Sequence, residues 1–147
     1  MLGRTPTGAR TVGGTWSFEL SSRHEGTRCD PGVATWFAGI SREEVYLSAL
    51  TIGEIRKGIE NIRRRDERTA EALEAWLAEL VATFSDRIVP IDESIAERWG
   101  RFNVPDPLPV IDGLLAATAS VQGLVLVTRN IQDMERTGVA FLNPFSA

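Results

Sequence analysis

Residues 110–128 read VIDGLLAATASVQGLVLVT, and this stretch decides the fold class. Residues 110–122 are mostly apolar or small and predict a helix, which Gly123 ends in a left-handed cap. Residues 124–128 are nearly all apolar, as is typical of a strand in a parallel sheet covered on both faces. A buried helix that leads into a buried strand predicts an α/β domain.

The same alternation extends on both sides of this stretch. Hydrophobic spacing predicts helices over residues 50–65 and 66–85, the second capped by Asp66, and a helix that begins at Asp92 or Ser94. Strand patterns cover residues 45–49, 87–91 and 139–142. Alternating strands and helices predict a three-layer α/β fold with a central parallel sheet flanked by helices.

The N-terminal segment has a different composition. Residues 1–31 are rich in Gly, Ser and Thr and show little periodicity, and only residues 12–20 there favour a strand. A short helix is predicted over residues 33–40. We expect one domain over residues 1–147, with an irregular or aberrant segment over 1–31 and a regular part over 32–147.

Composition excludes several classes of protein. The 147 residues are 43% hydrophobic, which is ordinary for a globular domain, and the single cysteine excludes an internal disulfide framework. No apolar run approaches the roughly 18 residues of a membrane helix. No signal peptide is apparent, and a reducing, cytoplasmic setting without membrane attachment is expected.

The net charge of −4 argues against a protein coated in positive charge for non-specific DNA binding. Basic residues nevertheless cluster locally, at Arg56, Lys57, Arg63, Arg64, Arg65 and Arg68. Two interpretations stay open: a solvated helix end, or a local patch that contacts phosphates.

Three acidic residues follow strand-like runs. Glu54 comes after residues 45–49, Asp112 opens the helix over 110–122, and Asp133 follows residues 124–128. Because crevices in an open α/β sheet form outside the carboxyl ends of its strands, we expect these carboxylates to converge. A carboxylate cluster without His or Cys partners suits Mg²⁺ or Mn²⁺, which predicts metal-assisted phosphoryl chemistry.

Each carboxylate also has a structural interpretation. Thr51 and Glu54 have the spacing of a capping box, in which Glu54 would bond the backbone of Thr51. Asp112 would favour the positive end of its helix dipole, and Asn130 would cap a short helix with Asp133 in its first turn. However, an Asp at the start of a deeply packed helix needs a partner, which a metal ion would provide.

Other chemistries have less support. Nucleophilic catalysis by Ser or Cys needs a base, and His24 is the only histidine. No Cys/His set suits zinc, and no glycine-rich loop suits a nucleotide cofactor.

Three blocks of sequence resemble the conserved blocks of PIN-domain proteins. They are residues 46–55 (YLSALTIGEI), 112–119 (DGLLAATA) and 126–134 (LVTRNIQDM), the last followed by residues 142–145 (LNPF). The resemblance is to the VapC/FitB type, the toxin half of bacterial toxin–antitoxin pairs, and it extends from about Asp30 to the C-terminus.

This resemblance implies a Mg²⁺- or Mn²⁺-dependent endoribonuclease. Glu54, Asp112 and Asp133 would be its catalytic and metal-binding residues, while Thr128 and Asn130 would position phosphate or water. The implied partners are a cognate antitoxin, an RNA substrate and a second copy in a homodimer. The antitoxin would dock near the helices over 50–65 and 66–85, with Trp76 either an anchor or a core residue.

One departure from the family pattern affects the expected activity. The family opens with an apolar strand that ends in Asp-Thr-Asn, and that Asp is a principal metal ligand. Here residues 16–20 (WSFEL) resemble the residues just after that strand, so Gly13 or Gly14 stands where the Asp belongs, with Glu19 a partial substitute at best. The rival hypothesis is therefore a catalytically degenerate PIN module that binds antitoxin or RNA without cleaving. A small-molecule phosphatase has no support beyond the carboxylates.

Overall fold

The computed structural model describes residues 10–13, 45–128 and 130–143. These residues form a five-stranded sheet, all of whose neighbouring strands pair in parallel. The strands are β1 (Arg10–Gly13), β2 (Val45–Ser48), β3 (Ile88–Val89), β4 (Leu124–Val127) and β5 (Phe141–Leu142), in the order β3-β2-β1-β4-β5. The expected parallel α/β fold is confirmed.

Helices connect these strands. They are α1 (Ala49–Arg63), α2 (Glu67–Thr83), α3 (Glu93–Phe102), α4 (Val110–Gln122) and α5 (Ile131–Glu135). The bounds of α4 agree with the prediction, and Gly123 ends it at a φ of 65°. Asp66 caps α2 as predicted, and Asp92 rather than Ser94 caps α3.

Strand β1 lies in the middle of the sheet, between β2 and β4. Gly13 is in register with Leu47 on one side and Val127 on the other. The prediction that a strand begins at residue 12 was wrong by two residues, because pairing with both neighbours extends β1 back to Arg10. Residues 14–20 and the helix predicted over 33–40 lie outside the described residues.

The main core surrounds β4 and α4. All four residues of β4 are buried, so both faces of this strand are covered, as its apolar sequence predicts. From α4, Leu115, Ala116 and Ala119 pack into the same cluster. Small side chains let α4 lie close to the sheet, and this fixes the start of α4 beside the carboxyl ends of β1 and β4.

A second cluster joins α1 and α2. Ile55, Ile59 and Ile62 of α1 pack with Ala70 and Leu77 of α2. Trp76 is half-buried against this cluster, so part of its ring belongs to the core.

Among the described residues, no helix is long and apolar enough to cross a membrane.

Candidate acidic site at the carboxyl edge of the sheet

Two of the three predicted site carboxylates meet beyond the carboxyl ends of the strands. Asp112 is the third residue of α4, and Asp133 is the third residue of α5. Both side chains are half-buried. Each carboxylate therefore lies in the first turn of its helix, where the helix dipole favours negative charge.

Asn130 joins the two carboxylates. Its side-chain Nδ2 donates to Oδ2 of Asp112 at 3.0 Å and to Oδ2 of Asp133 at 2.7 Å. Its Oδ1 accepts the backbone N–H of Asp133 at 3.3 Å, which makes Asn130 the N-cap of α5. The predicted cap is confirmed, and the link to Asp112 adds a contact between two elements that are far apart in the sequence.

The turn between β4 and α5 is held by Thr128. This residue is 1% exposed, and its Oγ1 accepts the backbone N–H of Asn130 at 3.0 Å. The polar groups of Thr128 and Asn130 are thus engaged inside the protein. Thr128 therefore fixes the backbone at Asn130, whose amide contacts both aspartates.

Two further bonds fix the loop that leads into α4. Arg136, at the end of α5, donates from Nη2 to the backbone oxygen of Pro107 at 2.8 Å. Asn103, at the end of α3, donates to the backbone oxygen of Trp99 at 2.7 Å and accepts the N–H of Leu108 at 2.9 Å. The start of α4 is therefore tied to both α3 and α5.

Among the described residues, no hydrogen bond joins Glu54 to this pair, and the three carboxylates are not grouped as a metal cluster. Helix α1 begins at Ala49, and the side chain of Ser48 caps it by accepting the N–H of Leu50 at 3.1 Å. The capping box between Thr51 and Glu54 was therefore a wrong prediction, because Ser48 takes the cap three residues earlier. Glu54 is half-buried in the second turn of α1 and forms no hydrogen bond or ion pair within the described residues.

The fit of this site to a divalent cation rests on its oxygen donors. Across residues 10–13, 45–128 and 130–143, no three His, Cys, Asp or Glu side chains are grouped as a metal cluster. Asp112 and Asp133 alone supply hard carboxylate oxygens at one point. That pair suits Mg²⁺, which commonly binds through one or two carboxylates and retains several waters. Gly13, at the end of the central strand, contributes no side-chain ligand.

The sequence did not predict the hydrogen bond from Asn130 to Asp112. The spacing of Asn130 and Asp133 indicated a cap, but nothing in the sequence indicates which distant side chain the amide of Asn130 reaches. The sequence predicted a metal ion as the partner of Asp112, and the structure adds the amide of Asn130 as a hydrogen-bond donor to it.

The basic cluster is partly neutralised. Arg56 donates to Glu74 and Glu60 at 2.6 and 3.3 Å, and Arg63 donates to Glu60, Glu67 and Glu74 at 3.0, 2.6 and 3.2 Å. These bonds raise the pKa of both arginines, chiefly through Glu74 for Arg56 and Glu60 for Arg63. Within the described part of the chain, the other four members of this basic cluster make no such ion pair: Lys57, Arg64, Arg65 and Arg68.

Comparison with known proteins agrees with the fold. The PIN domain family matches residues 30–139. Toxin FitB from Neisseria gonorrhoeae is 30% identical over 120 residues, which cover 77% of this chain and 84% of that protein. VapC ribonuclease Y4jK from Sinorhizobium fredii is 28% identical over 79% of this chain and 86% of its own length.

A solved structure of a relative has the same fold. The crystal structure of FitAcB from Neisseria gonorrhoeae superposes with a TM-score of 0.80 at 26% identity, covering 91% of this chain and 97% of that one. The family match covers most of the chain, and one relative reaches 30% identity over three quarters of it. The chain therefore belongs to the PIN domain family, and within it to the VapC/FitB type.

Proposed function

We propose that this protein is a metal-dependent endoribonuclease that acts as the toxin of a toxin–antitoxin pair. The observation that carries the proposal is the meeting of Asp112 and Asp133 at Asn130, at the carboxyl edge of a PIN-domain sheet. One relative is named a toxin and another a ribonuclease, which supports both parts of the proposal.

Asp112 and Asp133 would hold a divalent cation, Mg²⁺ or Mn²⁺, and Glu54 completes the proposed set of site residues. When bound, such an ion activates water and stabilises charge on the transferring phosphoryl group. Within the described residues the carboxylate of Glu54 has no hydrogen-bond partner, so it would be available to accept a proton from water at Oε1 or Oε2. Thr128 and Asn130 would position phosphate or water beside the two aspartates.

The rival within the same family is a catalytically degenerate module that binds antitoxin or RNA. It is favoured by Gly13, which ends β1 without a side chain between β2 and β4. Fewer anionic oxygens would bind the cation less tightly and position the water less well. We therefore expect weak cleavage from this chain.

The proposed partners follow from the type of protein. A cognate antitoxin would neutralise the toxin by covering the α1–α2 pair, where Trp76 is half-buried. RNA would be the substrate, the active form would be a homodimer, and the setting would be cytoplasmic.

The test is cleavage of RNA by the purified chain in Mn²⁺ and in EDTA, with Asp112→Asn and Asp133→Asn as loss variants. Asp106→Asn is the matched control, since Asp106 is exposed in the loop before α4. The proposal predicts Mn²⁺-dependent cleavage that falls at least about tenfold in both loss variants but persists in the control.

Two other outcomes would redirect the proposal. Cleavage that persists in EDTA or in both loss variants would contradict a metal-dependent site. No cleavage by the native sequence, followed by a gain in Gly13→Asp or Gly14→Asp, would support the degenerate module.

A further inference from the structure

The acidic pair raises a question of charge balance. Asp112 and Asp133 are half-buried, and each has a carboxylate oxygen on the same amide nitrogen. Neither forms an ion pair with an Arg, Lys or His within the described residues. Like charges held close together repel, and they normally need an opposite charge or a bound cation between them.

The amide of Asn130 meets this need without a net charge. A side-chain amide has two N–H donors, and here one is directed at each carboxylate. The amide orientation is fixed because Oδ1 accepts the backbone N–H of Asp133. The reverse orientation would place an oxygen against two carboxylates. Hydrogen bonds from a neutral donor to a charged acceptor are among the stronger ones in proteins.

We propose that Asn130 is a positioning residue that holds Asp112 and Asp133 together in the cation-free protein. This inference rests on the proposed function, because it takes the two aspartates as the site. A third carboxylate at this position would add repulsion to the pair, whereas the amide donates to both members and lets the chain fold with the pair assembled.

The variant that isolates this role is Asn130→Asp. Asp caps a helix as well as Asn does, so the bond to the N–H of Asp133 is retained. Only the two donors are lost, and two carboxylate contacts become repulsive. In EDTA the melting temperature should fall by about 5–10 °C, as expected for losing two hydrogen bonds to charged groups in a domain of this size. Mn²⁺ should restore most of the loss.

Asn61→Asp is the matched control. It makes the same chemical change on the exposed side of α1 and adds the same charge. Its melting temperature should change by no more than about 2 °C and should respond to Mn²⁺ as the native protein does. An equal fall in both variants would assign the effect to net charge and overturn the inference.

A second variant covers the case in which Asn130→Asp does not fold in EDTA. The double variant Asp112→Asn with Asn130→Asp restores one amide–carboxylate bond and the native net charge. It should fold in EDTA, with a melting temperature closer to that of the native protein than Asn130→Asp reaches. No recovery would overturn the role of Asn130, whatever the single variant does.

The result also separates this inference from the proposed function. If Asp112→Asn loses the Mn²⁺ response while Asn130→Asp behaves like Asn61→Asp, the cation site stands and the role of Asn130 is wrong. If neither the native protein nor Asn130→Asp responds to Mn²⁺ but Asn130→Asp is still destabilised, the positioning role stands and the cation site is wrong.

Discussion

The α1–α2 pair and the α4–α5 edge both place carboxylates close together, but they neutralise them differently. Glu60, Glu67 and Glu74 each bond an arginine, and the side chains of this group are 43–62% exposed apart from Arg63 at 24%. Asp112 and Asp133 instead share the neutral amide of Asn130. In the first group, two guanidinium groups offset most of the charge of three carboxylates. In the second group, no Arg, Lys or His of the described residues forms an ion pair with either aspartate.

Removing an apolar contact between α1 and α2 should have the largest effect on the stability of the protein. Ile59 is fully buried between the two helices, so Ile59→Ala should lower the free energy of unfolding by about 2–5 kcal/mol. Urea unfolding at neutral pH measures this loss. The control is Ile131→Ala, because Ile131 is 40% exposed and should cost much less. Equal losses would show that burial does not decide stability here.

Alanine substitution of the glycine in α4 and of the glycine in α3 should change the stability of the protein in opposite directions. A Cβ on Gly113 would lie 3.2 Å from Cδ1 and Nε1 of Trp99 and 3.3 Å from Cβ of Leu108. Gly113→Ala should therefore destabilise by about 1 kcal/mol net, since overpacking outweighs the gain in helix propensity. Gly100 has nothing within 4 Å of such a Cβ, so Gly100→Ala should stabilise by about 0.5–1 kcal/mol. Thermal unfolding of both variants checks the signs, and stabilisation by Gly113→Ala would show that α4 is less tightly packed than described.

The ion pairs of α1 and α2 should have the smallest effect, and it should depend on pH. The bond from Arg56 is the main cause that holds the pKa of Glu74 below its usual range, with Arg63 adding to it against desolvation. Because the pKa of Glu74 is lower in the folded state, its charged form stabilises the folded protein above about pH 4.3, the ordinary pKa of a glutamate. This stabilisation is lost as pH falls through the folded-state pKa. Glu74→Gln should therefore lower the melting temperature by only about 1–3 °C at pH 7 and by less at pH 2–3.

The matched control for that prediction is Glu79→Gln on the same helix. Glu79 is exposed and forms no ion pair within the described residues. Its substitution should leave the melting temperature unchanged at both pH values. A loss in Glu74→Gln that persists undiminished at low pH would mean that packing, rather than charge, accounts for the effect of Glu74.

Much of the fold could be predicted because its signals are local. Asp66 starts α2, Gly123 ends α4, and the four apolar residues of β4 indicate a buried parallel strand. The start of α1 was misplaced because Ser48 and Thr51 are both acceptable caps, and only the end of β2 decides between them. The bounds of β1 depend on pairing with strands far along the chain, which Arg10 and Gly13 do not indicate.

The site was predictable in position but not in its contacts. A carboxylate at the first turn of a helix after a strand indicates the carboxyl edge of the sheet, and Asp112 and Asp133 lie there. The prediction that Glu54 completes the cluster remains a proposal, since no bond joins it to the pair. The bridge from Asn130 to Asp112 spans eighteen positions and two elements, so it follows only from the packing of α4 beside α5.

The most direct test of the account is the change in melting temperature caused by saturating Mn²⁺ in the native protein, Asp112→Asn and Glu74→Gln. Linkage predicts a gain of roughly 5–10 °C in the native protein at a hundredfold excess over the dissociation constant. Glu74→Gln should gain as much, and Asp112→Asn should gain nothing. A full gain in Asp112→Asn, or its loss in Glu74→Gln, would contradict the assignment of the acidic pair as the functional site.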